Sequence, residues 1–150
     1  DGDPKVIEYN VRFGDPEAEA VIPRIKSDLL DLLDGVACGK LEDKTIEINP
    51  DAAATVIMVA GGYPETYEKG FTITDNSSTD KSIVFHAGTK KVGENIVTNG
   101  GRVLAVTSYG KTLEEALLNT YESIGKISFE ASNYRRDIGF DLKEGTSALQ

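Results

Sequence analysis

Three polar residues near the beginning of the chain have types and a spacing that suit metal or phosphate chemistry. Glu8, Asn10 and Arg12 alternate with apolar residues in a β-prone segment, Val6 to Arg12. Alternate side chains of a strand share one face, roughly 6–7 Å apart. A carboxylate and an amide oxygen so placed can bind a hard cation together with phosphate, and a guanidinium suits carboxylate or phosphate. A half-buried strand whose polar face meets water has the same pattern, so spacing alone leaves both interpretations open.

The residues that follow predict a sharp turn and the start of a helix. Gly14 allows the turn, Asp15 is a typical N-cap, and Pro16 suits the first helical position. An apolar stripe at helical spacing then continues from Val21 to Val36, with Gly35 as the predicted C-cap. A helix N-terminus favours bound anions, although capping alone is a sufficient role for Asp15.

The segment EYNVRFGDPEAE, from Glu8 to Glu19, resembles the signature of the phosphoribosylamine–glycine ligase family, which belongs to the ATP-grasp superfamily. Four later segments resemble successive landmarks of the C-terminal domain of that family, in the family order: GGYPETYEKG, VFHAGTK, VTNGGRVLAVTSYGKTLEEA and FEASNYRRDIG. The N-terminal domain and nucleotide-binding lobes of the family have no counterpart in these 150 residues. We therefore expect a C-terminal fragment that is inactive by itself.

The resemblance implies a reaction in cytoplasmic purine biosynthesis. ATP would phosphorylate the carboxylate of glycine, and the amine of 5-phosphoribosylamine would then attack the acyl phosphate. The resemblance assigns Glu8 and Asn10 as ligands of Mg²⁺ or Mn²⁺ and gives Arg12 the catalytic role of orienting phosphate or the acyl intermediate. It also places Asp15 near the ammonium group of glycine.

Arg135 and Arg136 form the second candidate binding site, in a polar stretch after the last predicted helix. Arginine binds phosphate bidentately, and the pair resembles the basic pair with which related purine-pathway ATP-grasp enzymes bind the ribose phosphate. Asp137 follows directly and can instead neutralise one arginine in a structural ion pair.

Two further features keep both a functional and a structural interpretation. The loop from Gly61 to Tyr67 can face a substrate because its two glycines let backbone amides approach a ligand closely, or it can simply be the turn that ends a buried strand. His86, the single histidine, lies in a predicted apolar strand, where a hydrogen-bonded structural role is the commoner one.

The composition excludes several classes of protein. The formal charge of -9, without a basic cluster, argues against nucleic acid as a partner. The chain has no apolar run long enough to span a bilayer. The single cysteine, Cys38, rules out an internal disulfide framework.

The order of predicted elements favours an α+β fold with a mainly antiparallel, barrel-like sheet and one packed helix. Residues 1–36 would be the closing strand and helix of an ATP-grasp lobe, and residues 37–150 the C-terminal domain. The alternative is a non-catalytic β-rich module that has a binding or structural role. The predicted elements of the second part are a doubly buried strand at Ala53–Ala60, strands at Ile46–Ile48, Phe71–Thr74 and Ile83–Ala87, a hairpin that joins Ile96–Thr98 to Arg102–Ser108 through Asn99–Gly100, a helix from Thr112 that buries residues as far as Ile127, and a frayed tail at Lys143–Gln150.

Overall fold

The computed structural model describes residues 5–7, 9–14, 16–77, 81–140 and 142. The helices are α1 (Glu17–Val21), α2 (Leu29–Ala37) and α3 (Leu113–Ile124). The strands are β1 (Ala52–Val59), β2 (Thr74–Asp75), β3 (Ser82–His86), β4 (Thr89–Val92), β5 (Asn95–Thr98), β6 (Arg102–Gly110) and β7 (Ile127–Ser128). No helix within these ranges has the length and apolar composition needed to cross a membrane.

The centre of the fold is a three-stranded antiparallel sheet with the order β1–β6–β3. Val103 to Val106 of β6 are at most 1% exposed. Strand β6 is therefore the one that is buried on both faces. In β1, Ala54, Val56 and Met58 are buried whereas the intervening residues are half-buried. The prediction of a strand here is confirmed, but its burial on both faces was wrong.

Helix α3 covers one face of this sheet. The backbone N–H of Glu115 donates to Oγ1 of Thr112 at 3.2 Å, so the predicted N-cap is present. Ala116, Leu117, Thr120 and Ile124 are buried at the interface. Buried hydroxyl groups add polar contacts, because Oγ of Ser82 in β3 lies 2.6 Å from Oγ of Ser108 in β6 and of Ser123 in α3. Ile127 lies beyond the helix, in β7.

Helix α1 lies against the opposite face of the sheet. Oγ1 of Thr107 donates to the backbone carbonyl of Glu19 at 2.9 Å. The hydroxyl of Tyr109 donates to the carbonyl of Pro23 at 2.7 Å, and burial raises the pKa of that phenol. These two bonds fix the position of α1 on the central strand.

The single helix predicted from Pro16 to Gly35 is instead two helices. A 3₁₀ turn, Ile22–Arg24, follows α1, and Ile25 is extended. Pro23 explains the break, because proline lacks the N–H that a continuing helix needs. Oδ1 of Asp28 then accepts from the backbone N–H of Leu30 at 2.8 Å and begins α2.

The C-cap predicted at Gly35 was also wrong. Gly35 is a buried residue inside α2, and Cys38 is the C-cap. Gly39, with φ of 66°, adopts the left-handed conformation that commonly follows a helix. Cys38 is exposed and has a free thiol.

The described residues between 5 and 14 do not form the predicted strand. Their alternating pattern satisfies the side-chain periodicity of a strand, but a strand also needs a hydrogen-bonded neighbour, and no ladder of the described chain includes them. Ile7 and Val11 are 96% and 97% exposed. Their apolar face is therefore uncovered.

The hairpin predicted at Asn99–Gly100 was wrong as well. Strand β5 pairs with β4, with Val92 opposite Asn95, and the turn between them contains Gly93 with φ of 59°. Strand β4 was not predicted, because Lys90 and Lys91 interrupt its apolar pattern. Asn99 instead crosses to the β3–β4 turn, where its N–H donates to the carbonyl of Gly88 at 2.7 Å.

The remaining strand predictions were confirmed in part. The prediction at Ile83–Ala87 corresponds to β3. Near Phe71–Thr74 the structure has a bridge between Thr72 and Val97 and then the short strand β2. Near Ile46–Ile48 it has one bridge, between Ile25 and Ile48.

The overall class is mixed α and β with antiparallel sheets, but the expected barrel-like sheet is not found. The described strands form one three-stranded sheet and two two-stranded sheets, β2–β7 and β4–β5, and they do not close into a barrel. Glu8, Asp15 and the predicted tail at Lys143–Gln150 lie outside the described residues.

Candidate functional site

Asn10 and Arg12 lie together in a shallow cavity of about 530 Å³, which also includes Glu17. Both residues are exposed. Nη1 of Arg12 donates to the carbonyl of Phe13 at 2.9 Å, and Oε2 of Glu17 accepts from the N–H of Gly14 at 2.7 Å. Residues 10–12 therefore present an amide and a guanidinium to the same cavity.

Within the described residues, no three or more His, Cys, Asp or Glu side chains form a group that could hold a metal ion. Asn10 supplies a hard oxygen donor, and the carboxylate of Glu8 is of the same chemical type. Both are donors that Mg²⁺ accepts in combination with phosphate and water. The donor chemistry thus fits a cation that is completed by phosphate.

A second cavity, the β1 cavity, lies beside β1 and has a volume of about 420 Å³. This volume falls in the range of about 300–1,000 Å³ that is usual for small-molecule sites. Its lining is mostly apolar and aromatic, with two arginines: Pro16, Thr55, Val56, Ile57, Val59, Tyr63, Arg102, Asn133, Tyr134, Arg135 and Ile138. An apolar pocket with a few cationic groups is suited to a small anionic ligand.

The chain builds this cavity from segments that are distant in sequence, the first of them represented by Pro16. Strand β1 provides the floor, and Arg102 enters from the first position of β6. The segment that contains Asn133 runs along the outer edge of β1, where Asn133 and Val59 exchange backbone hydrogen bonds of 2.8 and 3.0 Å. This bridge holds Tyr134 and Arg135 against the sheet.

Arg135 reaches the β1 cavity while it is paired with Asp137. Its Nε and Nη2 donate to Oδ1 and Oδ2 of Asp137 at 2.9 and 3.0 Å. These bonds lower the pKa of the Asp137 carboxyl below its ordinary value. Both side chains of this pair are exposed. A phosphate group, which carries more negative charge than a carboxylate, therefore has access to the guanidinium of Arg135.

Arg136 points to a different place. Its guanidinium lies 5.5 Å from the ring centroid of Tyr134, and it borders a separate cavity next to α3. The structure therefore does not bring Arg135 and Arg136 to one phosphate position. It brings Arg135 together with Arg102 instead.

Sequence reasoning missed Arg102 as a candidate. It follows the predicted turn at Asn99–Gly100 by two residues, and the other residues that line the cavity are far away in sequence. An arginine directly after two glycines, within a segment that resembles the family, was the available signal.

The loop from Gly61 to Tyr67 forms part of the same cavity through Tyr63. Tyr63 and Tyr67 pack with ring centroids 6.1 Å apart. A side chain on Gly101 would overlap the ring of Tyr63 and lie 3.0 Å from Cε1 of Tyr67. Glycine at position 101 thus allows the tyrosine wall to lie directly on the beginning of β6.

His86 is exposed at the end of β3. Its Nδ1 lies 3.2 Å from Oγ1 of Thr89. It borders a cavity between α1 and β3 rather than the β1 cavity.

The chain was compared with known proteins. Residues 53–141 match the family model described as phosphoribosylglycinamide synthetase, C domain. Phosphoribosylamine–glycine ligase of Chlorobaculum tepidum is 48% identical over 141 residues, which are 92% of this chain and 33% of that protein. The ligase of Halalkalibacterium halodurans is 45% identical over 137 residues, 91% of this chain and 32% of that protein.

A solved structure gives the same result. The crystal structure of phosphoribosylamine–glycine ligase from Thermotoga maritima matches with a TM-score of 0.72 at 37% identity, over 91% of this chain and 34% of that chain. The chain thus spans about a third of the length of the relatives it matches. Because the family model matches more than half of the chain, the chain belongs to the phosphoribosylglycinamide synthetase C-domain family.

Proposed function

We propose that the chain is the C-terminal part of an ATP-dependent ligase of cytoplasmic purine biosynthesis, which joins glycine to 5-phosphoribosylamine. The observation that carries this proposal is the similarity of nine-tenths of the chain to ligases named for that reaction. In the proposed reaction a carboxylate oxygen of glycine attacks the terminal phosphorus of ATP and ADP leaves. The amine of phosphoribosylamine then attacks the acyl carbon, and phosphate and a proton leave.

In this proposal the shallow cavity at Asn10 and Arg12 faces the phosphoryl-transfer step. Glu8 and Asn10 would hold Mg²⁺ or Mn²⁺, which neutralises charge on the transferred phosphoryl group. Arg12 would orient that group, because a planar guanidinium matches phosphate geometry. Asp15 would bind the ammonium group of glycine. The neighbourhood of Asn10 and Arg12 supports this assignment.

The β1 cavity is the proposed site for phosphoribosylamine. Arg135 and Arg102 would bind its phosphate, and the apolar floor with Tyr63 and Tyr134 would cover the sugar. Arg136 lies on the other side of Tyr134, so its contribution would be to hold that ring in place. The cavity lining combines two arginines with aromatic rings. This combination favours a phosphorylated sugar over a purely apolar ligand.

The exposed apolar surface of the first third of the chain supports an interface with further parts of a ligase. Of the 19 exposed large hydrophobic residues in the described chain, 13 lie between Val6 and Ile48. Helix α2 lines an apolar groove of about 710 Å³. Exposed apolar patches of this kind mark interaction sites. We therefore propose that residues 1–36 complete an ATP-grasp lobe and that residues 37–150 are the C-terminal domain.

An activity assay tests the proposed function. A full-length ligase that carries residues 1–150 should release phosphate when it is given ATP, magnesium, glycine and phosphoribosylamine together. Residues 1–150 alone should release none, since they span only about a third of the length of the ligases they match. Turnover by residues 1–150 alone would contradict the proposal that they are only part of the active enzyme. An inactive full-length protein would contradict the proposed reaction.

Changing Arg135 or Arg102 to alanine in the full-length ligase should raise the KM for phosphoribosylamine about tenfold, because a charge-assisted hydrogen bond contributes about 1.5–3 kcal/mol. The KM for ATP and for glycine should change little. Lys91→Ala is the control, since Lys91 is an exposed cationic residue of β4 that does not line the β1 cavity. Equal effects on all three substrates would show that the arginines are structural, with Arg135 held for its ion pair to Asp137.

A further inference from the structure

Tyr121 of helix α3 contacts three residues that line the β1 cavity, while it borders the separate cavity next to α3. Its hydroxyl donates to the carbonyl of Arg135 at 3.0 Å and accepts from the N–H of Ile138 at 3.4 Å. Its ring centroid lies 6.2 Å from that of Tyr134, with the two planes at 39°. One side chain of α3 therefore holds this part of the cavity wall from behind.

The hydroxyl of Tyr121 closes the turn that carries Arg135. A phenol donates one hydrogen bond and can accept another, and Tyr121 uses these for the carbonyl of residue 135 and the N–H of residue 138. These two backbone groups, three residues apart, are the ones that bond directly in a regular β-turn. Asp137, which pairs with the guanidinium of Arg135, lies within the same turn. The backbone and the guanidinium of Arg135 are therefore held by one turn.

Tyr121 is anchored independently of this turn. Its side chain packs against both groups of buried apolar residues in the core. The segment before the turn has its own attachment, the bridge between Val59 and Asn133. Arg135 thus follows an attachment to the edge of β1 and is itself attached to α3. Because the bond between Tyr121 and Arg135 is exposed, we expect its loss to affect the turn much more than the stability of the fold.

We propose that Tyr121 is a positioning residue of the ligase, which holds Arg135 in the orientation that lets its guanidinium bind phosphate in the β1 cavity. The inference rests on the proposed function, which assigns the phosphate of phosphoribosylamine to Arg135. A planar guanidinium binds phosphate best in a bidentate geometry, so a small rotation of the turn weakens binding although no charge is removed. Tyr121 acts through Arg135 and touches no substrate itself.

Tyr121→Phe in the full-length ligase removes the hydroxyl and keeps the ring. The KM for phosphoribosylamine should rise about threefold to tenfold, which is the factor that one hydrogen bond of ordinary strength provides. The kcat and the KM for ATP and for glycine should stay unchanged. In a double-mutant cycle, the same substitution in an Arg135→Ala background should raise the KM for phosphoribosylamine no further, because the arginine that Tyr121 positions is absent. Steady-state phosphate release measures all four proteins of the cycle.

Thr120→Val is the matched control on the same helix. Oγ1 of Thr120 is buried and lies 3.1 Å from the carbonyl of Ala54 and 2.8 Å from that of Ala116. The control therefore removes a hydroxyl that joins α3 to β1 but does not contact the turn of Arg135. It should lower the Tm at least as much as Tyr121→Phe does, while the KM for phosphoribosylamine stays at the wild-type value.

Two results would overturn the positioning role while the proposed function stands. The first is a KM for phosphoribosylamine that Tyr121→Phe leaves unchanged, or raises equally with and without Arg135. The second is an equal rise of this KM in Thr120→Val, because general loosening of α3 would then be the cause. An inactive wild type, or an unchanged KM in Arg135→Ala alone, would instead remove the phosphate site and the positioning role together.

Discussion

Glu8→Gln in a full-length ligase that carries this chain should lower kcat about a hundredfold, with little change in thermal stability. The substitution removes one negative charge from the proposed metal site while it keeps the side-chain volume. Loss of one preorganised group that stabilises the transition state costs about 10²–10³ in kcat. The dependence of rate on magnesium concentration should move to higher concentrations. Steady-state phosphate release over a magnesium titration measures both effects.

Asn10→Ala should have a smaller effect in the same direction, because a neutral amide contributes less charge stabilisation than a carboxylate. Glu42→Gln is the control, since it makes the same chemical change at an exposed position in a 3₁₀ turn. Unchanged kinetics of both Glu8→Gln and Asn10→Ala at limiting magnesium would refute the metal assignment. A loss of folded protein, seen as a lowered Tm, would indicate a structural role.

Gly88→Ala should lower the free energy of unfolding by about 1–3 kcal/mol, which is the usual cost of forcing extra atoms into packed surroundings. A methyl group on Gly88 would lie 2.6 Å from Cα and 2.9 Å from N of Gly100, and it would also overlap the carbonyl of Arg102. All three are backbone atoms, so no side-chain rotation relieves the contact. Thermal or denaturant unfolding of residues 1–150 measures the change.

Gly88→Ala should also change the shape of the β1 cavity, because displacement of the Arg102 backbone moves the Arg102 guanidinium, which lines that cavity. We expect the KM for phosphoribosylamine to rise in the full-length ligase while the KM for ATP stays near its original value. Gly125→Ala is the matched control. Gly125 has φ of -61°, and a methyl group there would approach only atoms at 3.5 Å. A Tm of Gly88→Ala equal to that of Gly125→Ala would contradict the close approach of Gly88 and Gly100.

The elements that the sequence predicts well are those whose signal is local. Strand β6 has a continuous apolar run, and α3 begins at a threonine N-cap with a glutamate three residues later. The break at Pro23 and the second N-cap at Asp28 were also visible in the sequence. The prediction of a single helix rested on the apolar stripe alone and took neither signal into account.

The remaining differences are non-local. Strand pairing cannot be inferred from the strands alone, because β6 pairs with β1 and β3 while its neighbour in sequence, β5, pairs with β4. The alternating residues near Asn10 have a strand pattern without a partner strand in the described chain. Arg102 and Arg135 line one cavity because the Val59–Asn133 bridge places a late segment beside an early strand. Each of these depends on contacts between residues that are distant in sequence.

Helix α1 lies between two cavities. Pro16, directly before it, lines the β1 cavity, and Glu19 within it lines the cavity between α1 and β3. Thr107 holds this helix and Tyr109 holds the turn after it through one hydrogen bond each, so a displacement of the helix would change the lining of both cavities. Any ligands that the two cavities bind would then be thermodynamically linked: the factor by which the first changes the affinity for the second equals the factor by which the second changes the affinity for the first.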